Sequence, residues 1–192
     1  MSDKIIEWVK DIEELARLAK NEPQAVYSCI TKAVSHRWSY TQRTIPDISH
    51  LFQPLEDAIS EKLIPAIVGR KISSIEREIF SLPVQFGGMN IRNPVETSDQ
   101  EFETSVFITE KLSQIIKRQE TDFASYDEEE AQGRTKIAKV QKEETLKQKY
   151  DLIMSQVGTK QGRNVELAKE KGAGAWLSAA PIKALGFVLD KQ

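Results

Sequence analysis

The sequence predicts an all-α protein, a multi-helix bundle followed by long extended helices. Three observations carry this. Apolar residues recur at three- and four-residue steps along most of the 192-residue chain. Proline and small polar residues stand between those stripes, where helices begin and end. Hydrophobic residues make up 40% and charged residues 29%, enough apolar material for a core and too much for a wholly disordered chain. No apolar run approaches the roughly 18–20 residues that cross a bilayer. The first residues, Met1 to Glu7, hold acids where a secretory signal is apolar. One cysteine, Cys29, excludes an internal disulfide and any multi-cysteine zinc site. The expectation is a soluble, intracellular protein, nuclear or cytoplasmic, with no membrane partner.

The first helix is set by Ile5, Trp8, Val9, Ile12, Leu15, Ala16 and Ala19, which share one face. Glu22-Pro23 ends it, and Pro23 suits the first turn of the next helix, where its missing N–H costs nothing. Val26, Tyr27, Ile30, Ala33 and Val34 form a second stripe, and the segment 35–43 breaks the pattern. A third stripe runs through Ile48, Leu51, Phe52, Leu55, Ala58, Ile59 and Leu63. Pro54 inside it must kink or divide that helix, because its ring meets a carbonyl one turn back, and Pro65 is expected to stop it.

Ser73 and Glu76 have capping-box spacing. The short helix they start ends before Leu82-Pro83. Gly87-Gly88 then lies between two short apolar runs, which fits either a short β-hairpin or a bare turn. Asn93-Pro94 is a cap followed by a helix-starting proline. The long helix beyond carries Phe102, Val106, Ile108, Leu112, Ile115 and Ile116. Polar residues 127–135, with Gly133, predict a flexible joint. A sparsely apolar helix over about 136–157 then reads as an exposed or partner-dependent arm, not a buried element. A last helix holds Val165, Leu167 and Ala168, and the apolar tail from Trp176 to Ile182 is expected to pack back on the fold.

The net charge is only −2, but it is unevenly placed. Residues 96–130 hold eleven acids against three bases, and residues 131–171 hold ten bases against five acids. Such a dipolar stretch fits two solvated helix faces, or a basic surface for a polyanion beside an acidic one that limits where it binds.

Catalytic chemistry finds little support. No phosphate-binding glycine loop is present, and Gly172-Ala173-Gly174 lacks the third glycine and preceding strand of a dinucleotide fingerprint. His36 and His50 have no metal-ligand spacing. Cys29 lies on an apolar stripe, as a small hydrophobe would. The run from Asp127 to Glu130 falls in the polar joint, which cannot fix carboxylates around a metal. Two segments remain. His36-Arg37-Trp38-Ser39-Tyr40-Thr41-Gln42-Arg43 interleaves aromatics with bases, which suits stacking and phosphate contacts, or equally core aromatics covered by arginines. Leu82 to Pro94 has the character of a specific turn.

With these residues in view, the chain resembles the segment that follows the polymerase palm in LINE-like, non-LTR retrotransposon reverse transcriptases. The resemblance runs through Trp38 to Thr44, Pro54 to Ile59, Ile64-Pro65-Ala66 and Leu82 to Pro94. It continues in Lys169 to Ile182, where Gly174-Ala175 stands in place of the family's paired serines, and it spans nearly the whole chain. It implies a thumb and linker: residues 1–93 as a thumb-like bundle and 94–192 as an extended helical linker. The family's catalytic aspartates lie in the palm, in a Tyr/Phe-x-Asp-Asp hairpin. Tyr126-Asp127-Glu128-Glu129 has a different order, and the family's cysteine/histidine zinc region and nuclease have no counterpart here.

The expectation is therefore a non-catalytic fragment of an RNA-directed DNA polymerase, with no cofactor and no metal. Its partners would be an RNA/DNA template–primer and a parent polymerase palm. Arg37 and Arg43 would hold phosphates, with Trp38 or Tyr40 as packing or stacking platforms, and Lys136, Lys139 and Lys142 would extend the electrostatic track. The alternatives are a helical protein–protein interaction module, or the remnant of a decayed reading frame.

Overall fold

The computed structural model describes residues 1–119, 128–174 and 177. Among these residues the fold is all-α, with no strand. Helix α1 (Ser2–Ala19) buries Ile5, Trp8, Ile12, Ala16 and Ala19, the face marked by its apolar spacing. Helix α2 (Pro23–Cys29) begins on Pro23 and runs through a wide π-turn (Ile30–Val34) into α3 (His36–Thr44). The segment 35–43, expected to interrupt the helical pattern, is thus helical. The π-turn adds a residue to the turn and shifts the inward positions to Trp38, Thr41 and Gln42.

A short 3₁₀ turn (Ser49–Phe52) precedes α4 (Gln53–Ala58), so Pro54 divides the stripe by sitting in the first turn of a new helix. A second π-turn (Ile59–Leu63) leads into α5 (Ile64–Val68). Pro65 does not stop this helix. It lies in the first turn of α5, directly after the π-turn, and the helix ends instead at Gly69, whose φ of 74° is left-handed. Helix α6 (Ser74–Ser81) has both halves of the capping box.

No hairpin forms at Gly87-Gly88. Val84–Phe86 is a 3₁₀ turn closed by Gly87 at φ 78°. The returning chain donates from Met89 and Ile91 to the Phe80 carbonyl (3.3 and 3.0 Å) and from Asn90 to that of Leu82 (2.8 Å). The end of α6 has carbonyls without helical partners, and they take the hydrogen bonds that a hairpin's second strand needs.

Helix α7 (Pro94–Lys117) is capped by the Asn93 side chain, which accepts from the Val95 and Glu96 N–H groups. Helix α8 (Glu128–Gln156) starts within the expected joint, with Glu128, Glu129 and Glu130 in its first turn, where acids complement the helix dipole. Gly133 is simply inside the helix. Helix α9 (Thr159–Lys169) follows.

The main core draws on α1 to α5, with Phe52, Ile12, Leu55, Leu63 and Ile64 fully buried, and includes Ile91 and Leu177. Leu177 bears out the expectation that the tail packs back; the rest of Trp176 to Ile182 lies outside the described residues. A second cluster joins Ile79 and Leu82 to Tyr150 and Ile153 of α8 and Val165 of α9. Helix α7 lies along α3 and the Ser49–Phe52 turn and also touches α8. Packing therefore continues across residue 93, the expected domain boundary.

Candidate nucleic-acid interface

Helix α3 presents two faces. Inward, Trp38 is 5% exposed, with its ring 6.1 Å from that of Trp8, which stacks in turn on Phe52 at 6.3 Å. Of the two roles expected for Trp38 it has the packing one, because a ring enclosed by aromatics offers no face to a base. Gln42, also buried, donates to the Pro94 carbonyl at 2.8 Å and fixes α3 to the start of α7. Outward, Arg37, Tyr40 and Arg43 are exposed, Tyr40 at 76%. Arg37 divides its guanidinium between Glu7, at 2.9 Å, and Asp11, so it faces α1. Arg43 bonds no carboxylate among the described residues.

The acidic and basic segments fold onto each other. Arg134 of α8 bonds Glu110 at 2.8 Å and the Phe107 carbonyl at 3.0 Å, with its guanidinium over the Phe107 ring. Lys111 pairs with Glu130, and the Lys111 hydrogen bond holds that carboxyl below its ordinary pKa. Lys142 pairs with Glu101 at 2.6 Å. Lys149 reaches both Glu78 (2.6 Å) and Glu96 (2.5 Å). Burial opposes its charge, but the two carboxylates outweigh that and raise the Lys149 pKa. Lys136 and Lys139 remain exposed.

Three of the residues expected to bind nucleic acid, Trp38 and Arg43 of α3 and Lys142 of α8, line one cleft of about 250 Å³. Trp38 lies in its wall, and Arg92, His36, Asn90 and Glu101 belong to its polar lining. Arg92 stands 3.5 Å from the Glu101 carboxylate. A second cleft of about 230 Å³ continues it and shares Asn90, Arg92, Thr97 and Lys142. Arg37, Tyr40, Lys136 and Lys139 lie outside both clefts.

Arg92 and Glu101 were not among the expected contacts. Arg92 stands within the specific turn segment, immediately before the Asn93-Pro94 cap, and that position is the signal by which it could have been found. Glu101 is one of many acids in its stretch, and nothing in its spacing marks it.

Three of the cleft's hydroxyls are already engaged: Ser39 donates to the Ser35 carbonyl (3.2 Å), Thr97 to that of Asn93 (2.9 Å) and Thr31 to that of Tyr27 (2.8 Å). Three cations, Arg43, Arg92 and Lys142, face one carboxylate, so the cleft is electropositive and suited to an anion. Among the described residues no group of three or more His, Cys, Asp or Glu is placed to hold a metal ion, and no helix is long and apolar enough to cross a membrane. Comparison with family models, with curated proteins and with solved structures finds no match for the chain.

Proposed function

We propose that this chain is a non-catalytic thumb and linker region of a non-LTR retrotransposon reverse transcriptase, acting inside the cell, that grips a template–primer duplex by its phosphates without reading its sequence. The observation that carries the reading is the convergence of Arg43, Arg92 and Lys142 on one cleft from a helix, a turn and a second helix. Guanidinium and ammonium groups supply charge-assisted bonds to phosphate oxygens, and such contacts position a duplex without base readout. Tyr40, exposed one turn before Arg43 and outside the cleft, offers an aromatic face for a sugar or an unpaired base.

Fluorescence anisotropy of the full chain with a labelled RNA–DNA hybrid at two salt concentrations tests this. The expected affinity falls as salt rises, with a log–log slope near −0.9 for each phosphate neutralised, and is indifferent to base sequence. Arg43→Ala and Arg92→Ala each make that slope shallower by about one. No binding at low salt, or binding indifferent to salt, overturns the reading. So does primer extension or strand cleavage by the purified chain alone.

A second reading, a helical interaction module, is favoured by a different observation. Val106 of α7 and Ile137 and Val140 of α8 are 47%, 50% and 55% exposed, on two helices that pack against each other. It predicts that Arg43→Ala leaves every nucleic-acid assay unchanged, while Val106→Ser with Ile137→Ser alters self-association.

A further inference from the structure

Two cations of the cleft share one carboxylate. Glu101, the only acid in its lining among the described residues, takes Lys142 at 2.6 Å and reaches Arg92 at 3.5 Å through the same oxygen. Its side chain is 20% exposed, so it lies within the cleft mouth rather than in the interior. Arg43, from α3, makes no ion pair with this carboxylate. One carboxylate therefore serves two of three cations and leaves an excess of positive charge.

We propose that Glu101 is the resident counter-anion of the cleft, that a backbone phosphodiester replaces it, and that Glu101 thereby sets the strength of the grip. This rests on the reading of the chain as a duplex-binding thumb. The two non-bridging oxygens of a phosphodiester can accept from Arg92 and Lys142 together, and also from Arg43. Glu101 sits on α7 at the end of a rotatable stem and can turn to water as the phosphate enters. The exchange forms and breaks no covalent bond. It substitutes one anion for another at cations that are already placed, which keeps the ordering cost of binding low.

The test compares the wild-type chain with Glu101→Gln, using a labelled RNA–DNA hybrid with 5′-hydroxyl ends and the same hybrid with 5′-phosphates. Glu101→Gln is expected to bind roughly two- to fivefold tighter at low salt, the worth of one exposed ion pair that no longer competes. Both hybrids are expected to behave alike, because backbone phosphates fill the cleft; a preference for 5′-phosphate ends overturns the assignment. Glu110→Gln removes the same charge from α7 outside the cleft, and equal tightening by that variant reduces the effect to bulk charge and overturns the proposal. Should Glu101→Gln unfold, arginine side-chain NMR of the wild-type chain with the hybrid decides: shifts of Arg43 and Arg92 support the proposal, and their absence overturns it. If the wild type binds and Glu101→Gln binds no tighter, this inference fails and the thumb reading stands. If neither binds at low salt, the thumb reading itself fails.

Discussion

Arg77 holds Glu56 in the interior through two nearly parallel bonds, Nε to Oε1 at 2.6 Å and Nη2 to Oε2 at 2.7 Å. Both side chains are 8% exposed. The remaining Arg77 nitrogen donates to the Ile91 carbonyl at 2.8 Å, so one guanidinium ties α4, α6 and the segment before α7 together. Arg92, on the cleft, is the next residue. Burial raises the Glu56 pKa and the guanidinium draws it back, and all three guanidinium nitrogens have a partner.

Arg77→Leu leaves the Glu56 carboxylate buried and unpaired and releases the Ile91 carbonyl. A loss of about 3–5 kcal/mol is expected in chemical denaturation. Combining it with Glu56→Met restores much of that loss, because no uncompensated charge remains.

Trp38→Ala removes a ring packed against Trp8, with a cost of about 3–5 kcal/mol. Tyr40→Ala, two residues away, removes an exposed side chain and changes stability by less than about 0.5 kcal/mol. Thermal melts of the two variants separate the inward and outward faces of α3.

A Cβ at Gly88 would stand 2.1 Å from the Leu82 carbonyl oxygen and 2.5 Å from that of Ile79. Both contacts are backbone, so neither can swing away. Gly88→Ala is expected to lose upward of about 2 kcal/mol in denaturant midpoint analysis.

Glu76 is pulled down to a pKa of about 2, first by its bonds from Arg70 and then by the Ser73 N–H. A carboxyl lowered on folding stabilises the protein above its unfolded pKa and loses that contribution as pH falls through its folded value. The melting temperature of the wild type is therefore expected to exceed that of Glu76→Gln near neutral pH. The gap should close between about pH 5 and pH 2.

Features set by neighbours in the chain were readable. The Ser73–Glu76 box and the Asn93-Pro94 cap each lie within one turn of helix, so their geometry follows from spacing alone. The inward face of α1 was legible for the same reason. The π-turns after Cys29 and Ala58 were not, and they account for the misjudged segment 35–43 and for Pro65. A change in hydrogen-bond register leaves no regular apolar spacing to detect. The paired glycines announced a turn, but the need for Gly88 is proximity to α6 rather than positive φ, which only Gly87 has.

For the site, sequence marked the basic-aromatic segment and the lysine-rich helix as separate stretches. It could not separate Trp38, enclosed by rings, from Tyr40, open to water. Nor could it show that Arg37 faces α1 while Arg43 faces the cleft.

The caps, the inward face of α1 and the polarity of residues 96–171 were thus written in the chain itself, since each arises within a few residues. Which charges neutralise one another was decided only on folding. Glu101 and Lys142 are 41 residues apart, and Coulomb attraction depends on distance in space, which packing α7 against α8 alone supplies.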